Sequence, residues 1–200
     1  MVNEKILCAG FGGQGVMSMG QMLAYAGMLE NYHVSWMPSY GPEMRGGTAY
    51  CCVVISDMPI GSPVIADDAD CAVVMNLPSL QKFASAVKPG GHLLVNSSMV
   101  REKCGRTDVH TCYIPADDLA AECGSRRSAN MVMLGAYLEL SRRVSQENIL
   151  TAFSKVFGKK GDMFLAENTE ALKAGKEFAA TAVSSLYEPI SCSLPASQAL

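Results

Sequence analysis

The sequence predicts an α/β fold: one mostly parallel sheet with helices on both faces and a helical C-terminal third. Three observations carry this. Short apolar runs alternate with helical stretches over the first two thirds of the chain. A glycine-rich turn follows the first apolar run directly. From Ser128 onward the strand pattern stops and three helical stretches follow one another. With 200 residues, 49% of them hydrophobic and 18% charged, the chain is long enough for one well-buried core. A single domain is therefore expected over residues 1–186, with 187–200 a variable, loose tail.

The elements follow in order. Glu4 to Ala9 reads as a buried first strand between a polar start and glycines, and Gly10 to Gly15 as the turn after it. Val16 to Leu29, rich in small residues and free of proline, suits a helix packed closely on a sheet. Tyr32 to Met37 is a second strand, and Pro38 to Gly47 ("PSYGPEMRGG") a loop. Thr48 to Ser56 ("TAYCCVVIS") is apolar on both faces, as a central strand is. After a connection from Asp57 to Asp70 comes a strand, Cys71 to Asn76. A helix opens at Pro78, runs to about Val87 and stops at Lys88-Pro89-Gly90-Gly91. His92 to Asn96 and Cys112 to Ala116 are strands, with Asp117 placed to cap the short helix that follows. Ala129–Leu140, Gln146–Phe157 and roughly Ala166–Val183 are helices. The first of these is apolar nearly all round, which predicts burial against the sheet or a partner chain.

Composition excludes several classes. A net charge of −3 and a pI near 5.6 do not give the basic face of a nucleic-acid binder. No apolar run approaches the ~20 residues of a membrane span. The polar start, Met1 to Lys5, is unlike a secretory leader. The eight cysteines contain no C-x-x-C pair, so most of them read as small buried hydrophobes in a reducing cytoplasm rather than as cluster or zinc ligands. Cys51 and Cys52 are adjacent and on a strand point to opposite faces. His33, His92 and His110 show no metal-ligand spacing, and no metal site is expected. The high apolar fraction has two readings, a partner-covered surface or a well-filled core.

Gly10, Gly12 and Gly15 form G-x-G-x-x-G, the Rossmann-like turn that brings a backbone close to a pyrophosphate at a helix N-terminus. A dinucleotide site also needs an acid at the end of the second strand for the ribose hydroxyls. That stretch is Val34-Ser35-Trp36-Met37-Pro38, without Asp or Glu. The Lys-Ser/Thr of a Walker A motif is absent too. The glycines are therefore read first as packing residues, with a phosphate contact as the second reading. Gln14 is read as bonding a neighbouring segment or subunit, or as a solvated turn residue. Asp67, Asp68 and Asp70 look like paired carboxylates but more simply cap the approach to a strand. Arg126 and Arg127 reach a phosphate or form a solvated basic turn.

"GFGGQGV", "YGPEMRGGTAYCCVVIS", "IGSPVI", "MNLPSL" and "VKPGGHLLVNSS", in that order from about Ile6 to Ser98, resemble the gamma subunit of the 2-oxoacid:ferredoxin oxidoreductases. The likeness extends more weakly through "RRSANMVMLGAYLEL" to the helices near Ala182. The Y-G-P-E-M-R-G-G form looks most like the 2-oxoglutarate and branched-chain members. The resemblance implies a non-catalytic subunit of a complex that decarboxylates a 2-oxoacid, foremost 2-oxoglutarate, releases its acyl-CoA and reduces ferredoxin. It implies alpha and beta subunits and a ferredoxin-like delta subunit as partners. Thiamine diphosphate, Mg and 4Fe-4S clusters then belong to those partners, and CoA is a co-substrate of the complex. In this chain the resemblance points to Arg45, Gly46 and Gly47 as a CoA contact. Arg45 is a fixed fork of donors beside two glycines, which suits a carboxylate or a CoA phosphate; the other reading is an intersubunit ion pair. Tyr40, Gly41, Pro42 and Glu43, with Gly10, Gly12, Gly13, Gln14 and Gly15, are expected to form an interface or structural loop. The alternative function is a free-standing nucleotide- or acyl-CoA-binding module of the same fold.

Overall fold

A computed structural model describes residues 2–40 and 47–186. Six strands, β1 (Asn3–Phe11), β2 (His33–Tyr40), β3 (Thr48–Ser56), β4 (Ala69–Val74), β5 (Val87–Asn96) and β6 (His110–Ile114), form one sheet in the order β2-β3-β1-β4-β5-β6. The strands β1, β4, β5 and β6 pair in parallel, while β3 runs antiparallel to both β1 and β2. Five strands thus point one way, and β3 is the exception. Its direction follows from chain length. Residues 41–47 are too few for the dozen or more that a parallel crossover requires, so β2 and β3 close as a hairpin.

The helices are α1 (Val16–Leu29), α2 (Leu77–Phe83), α3 (Ala116–Glu122), α4 (Ala129–Ser141), α5 (Gln146–Phe157), α6 (Lys159–Asp162) and α7 (Leu165–Leu186). Several boundaries differ from the sequence reading, and the following have local reasons. β2 continues through Pro38 to Tyr40, because an edge strand has no ladder bond to lose on its outer side. The segment Lys88–Gly91 does not end a helix. It lies inside β5, where the register against β4 shifts between Ala69 and Cys71, and Lys88 pairs with Asp70 there. α2 accordingly ends at Phe83 and passes through a 3-10 turn, Ala84–Ala86. Asp117 is not the cap of α3. That position is Pro115, while Asp117 sits in the first turn and accepts a bond of 2.6 Å from Asn96 Nδ2.

Alternation along the strands sorts the core into two layers. Ile6, Cys8, Cys51, Val53, Val73 and Leu94 face α1, α4, α5 and α7 on one side. Leu7, Ala9, Ala72, Val74, Leu93 and Val95 face α2 and its 3-10 extension on the other. Cys52 and Val54 pack beneath the connection that carries Ile60 and Ile65. Cys51 and Cys52 therefore do face opposite ways. α4 is buried on nearly all sides, as its sequence predicts, and the helices that cover it besides the sheet, α7 foremost with α3 and α1, belong to the same chain. α4 and α7 cross with their backbones touching. A methyl group on Gly135 would lie 1.9 Å from Leu172 O, and one on Gly175 would lie 1.8 Å from Val132 O.

Candidate functional site at the carboxyl edge of the sheet

β1 delivers the chain to the glycine turn, which leads into α1. Gly13 and Gly15 hold φ of 101° and 76°, a region that side chains disfavour. Gly15 is closed by space as well: a methyl group there would meet Asn130 Nδ2 at 2.6 Å. Gly10 is tight for a different reason, since a methyl group would contact Gln14, Val16 and Met75 at 2.9 to 3.0 Å. These two glycines seat α1 against β1, β4 and α4.

Gln14 folds back over the strand ends. Its Oε1 accepts from Phe11 N at 2.7 Å and from Asn76 Nδ2 at 2.8 Å, and its Nε2 donates to Met75 O at 3.4 Å. Asn76 in turn caps α2 by accepting from Ser79 N at 2.9 Å. The gap between the carboxyl ends of β1 and β4 is where the chain leaves to opposite sides of the sheet, the crevice in which doubly wound folds hold nucleotides. Here the side chains of Gln14 and Asn76 bridge it.

The second segment singled out by sequence meets this turn. Gly12 N donates to Gly47 O at 3.1 Å, and Phe11 and Tyr40 are register partners of Thr48 and Ala49. Tyr40 stands at the end of β2, 61% exposed. The loop that begins after Tyr40 and ends at Gly47 thus springs from the same edge as the glycine turn. Gly41, Pro42, Glu43, Arg45 and Gly46 lie outside the described residues.

Beside the turn, on the helix-rich side, is a cavity of about 390 Å³ between the starts of α1, α4 and α7. Gly13, Gly15, Arg127 and Asn130 form its polar side, and Phe157 and Phe164 its apolar side. Asn130 Nδ2 donates to Gly15 O at 3.4 Å, and Ser128 Oγ donates to Glu167 Oε1 at 3.0 Å. Sequence reasoning noticed Arg127 but missed Asn130 and the phenylalanines. Phe153 and Phe157 stack at 4.7 Å with the spacing of an ordinary core stripe, so nothing local set them apart.

Asp68, Asp70, His92 and His110 make contacts within the fold. Asp68 pairs with Lys5, whose ammonium holds the carboxyl below its usual value, and Asp70 accepts from Lys5 N at 2.7 Å while pairing with Lys88. His92 and His110 are neighbours across β5 and β6, with ring centroids 5.4 Å apart. Burial, then the neighbouring ring, lowers the His92 pKa. Among the described residues, no three His, Cys, Asp or Glu side chains gather as a metal site, and no helix is long and apolar enough to cross a membrane.

Comparison with known proteins agrees with this architecture. The sequence profile of the pyruvate ferredoxin/flavodoxin oxidoreductase family matches residues 5–178. The chain belongs to that family. Among curated family members it is 42% identical over 176 residues to ketoisovalerate oxidoreductase subunit VorA of Methanothermobacter thermautotrophicus, covering 88% of this chain and 36% of VorA. The chain therefore spans about a third of that relative's length. A solved family structure, the keto/oxoacid ferredoxin oxidoreductase gamma subunit from Geobacter sulfurreducens, superposes with a TM-score of 0.75. It is 29% identical, and the match covers 89% of this chain and 99% of that one. The 2-oxoglutarate:ferredoxin oxidoreductase from Magnetococcus marinus, solved with 2-oxoglutarate, coenzyme A and succinyl-CoA, gives 0.82 at 30% identity, over 90% of this chain and 32% of that one. The resemblance to the family's gamma subunit thus holds over most of the chain.

Proposed function

We propose that the chain is the gamma subunit of a complex that oxidatively decarboxylates a 2-oxoacid to its acyl-CoA and passes the electrons to ferredoxin. Thiamine diphosphate and Mg are assigned to alpha and beta partners, and 4Fe-4S clusters to beta and a ferredoxin-like delta partner. The observation that carries this reading is the end-to-end match to a gamma subunit, 89% of this chain against 99% of that one. The site geometry supports it from another side. With Gln14 and Asn76 across the strand crevice, the glycine turn is assigned to packing, and the segment from Tyr40 to Gly47 to contact with partners and CoA. Arg45, Gly46 and Gly47 are the proposed CoA contact, with the Arg45 guanidinium opposite a phosphate. The free-standing nucleotide-binding module is not favoured by these matches.

The 2-oxoacid proposed is 2-oxoglutarate, in line with the Magnetococcus enzyme. The 42% identity to a ketoisovalerate oxidoreductase subunit favours 2-oxoisovalerate as a second reading. Anaerobic viologen reduction by the native complex, with 2-oxoglutarate, 2-oxoisovalerate and pyruvate in parallel, separates them. CoA-dependent reduction greatest with 2-oxoglutarate supports the first, and a preference for either other acid replaces it.

A further inference from the structure

The one tryptophan of the chain, Trp36, lies beside a pair of buried thiols. Cys8 and Cys51 are directly opposed in the antiparallel β1–β3 pair, and both belong to the core beneath α1 with no solvent exposure. Opposed residues of such a pair stand ~4.5–5.5 Å apart at Cα, inside the span a disulfide accepts. Cys51 Sγ lies against α1, donating to Val16 O at 3.4 Å. Cys71 shares their face, yet its register partner on β1 is Ile6 rather than Cys8.

The surroundings are shaped to this pair. Gly20 of α1 leaves the room that the Cys51 sulfur fills, since a methyl group there would lie 2.3 Å from Cys51 Sγ and 3.0 Å from Trp36 Nε1. Trp36 Nε1 is buried without a well-aligned acceptor of its own, and Cys51 Sγ is the polarisable atom in its vicinity. The neighbouring Cys8 thiol lowers the Cys51 pKa against the effect of burial. The Cys51 neighbour, with burial, raises the Cys8 pKa.

We propose that Cys8 and Cys51 are an oxidative modification site, converted by hydrogen peroxide into an intrachain disulfide that ties β1 to β3. The Cys51 thiolate attacks a peroxide oxygen, the O–O bond breaks, and a sulfenic acid and water result. Cys8 then attacks Cys51 Sγ, the S–O bond breaks, and a second water leaves with the Cys8 proton. Two thiols lose two electrons and one peroxide becomes two waters. Because both sulfurs are buried, the reaction proceeds through openings of α1 from the sheet and is slower than at the partly exposed Cys104, Cys112 and Cys123. The bond falls two positions before Gly10 and four after Gly47, at the root of the glycine turn and of the loop from Tyr40.

The test uses the full chain with its accessible thiols first capped by iodoacetamide under native conditions. It is then treated with hydrogen peroxide and digested with trypsin without reduction. The proposal expects a cross-link between the peptides Ile6–Arg45 and Gly46–Lys82, assigned to Cys8 and Cys51 by fragmentation. It also expects a change in Trp36 emission that dithiothreitol reverses. Cys8→Ser removes the cross-link and the reversible emission change, while Cys52→Ser, altering the opposite face of β3, leaves both. A cross-link to Cys52 or Cys71 instead, or free thiols or sulfinic acid at Cys8 and Cys51, overturns the proposal. The wild-type digest decides this even if a variant fails to fold.

Discussion

Asn76 Nδ2 donates to Gln14 Oε1 at 2.8 Å, joining the turn after β1 to the residue that caps α2. The Gln14–Asn76 pair links the two layers of helices through the sheet edge. Gln14→Ala removes this bond and those to Phe11 N and Met75 O. Leaving these partly buried groups unpaired is expected to cost about 1–3 kcal/mol. Urea unfolding should show a lowered midpoint with an unchanged slope. An unchanged midpoint would mean that water replaces Gln14 without loss.

Much of the fold was legible because local signals agreed. The apolar runs at Ile6, Val53 and Val73 and the apolar circumference of α4 each led to the right element. The direction of β3 was legible in principle from the short connection between Tyr40 and Thr48, but apolar content alone does not report strand direction. Lys88–Gly91 misled because a Pro-Gly-Gly run is the same signal whether it ends a helix or bends a strand. At the site, the sequence itself shows that β2 lacks the acid a dinucleotide's ribose requires. The bridge from Gln14 to Asn76 spans 62 positions and had no local signature.

The crossing of α4 and α7 depends on two hydrogens in place of side chains. Gly135→Ala and Gly175→Ala each drive a methyl group into the backbone of the facing helix, at 1.9 Å and 1.8 Å. Each is expected to destabilise the chain by about 3 kcal/mol, the upper end of ordinary overpacking. Thermal unfolding measures it. A near-neutral result would show that the helices separate without penalty.

Glu4 gives a pH dependence with a defined sign. It is buried where Tyr137 OH donates at 2.8 Å, Ser141 Oγ at 3.1 Å and Arg143 Nε at 3.1 Å. Burial outweighs these bonds and raises its pKa above 4.5. The folded state therefore holds a proton that the unfolded chain has released, and stability falls as pH rises through that window. Glu4→Gln cannot titrate there. Its stability relative to the native sequence should increase from pH 4 to pH 7 by denaturant unfolding at each pH. A constant or decreasing difference contradicts the assignment.

Arg45→Ala separates a CoA contact from a role in assembly. If the guanidinium meets a CoA phosphate, the intact complex should show KM for CoA raised about tenfold or more, the scale of one charge-assisted contact. KM for the 2-oxoacid should stay unchanged. Loss of assembly with an unaltered CoA KM in the remaining complex would assign Arg45 to the interface.

The central claim is that this chain works as one subunit of a CoA-acylating complex. Anaerobic purification of the tagged full chain from its own cells tests it most directly. The account predicts a brown eluate of several chains that contains thiamine diphosphate and iron and reduces viologen with a 2-oxoacid and CoA. A colourless eluate of this chain alone, inactive with every 2-oxoacid, would contradict it.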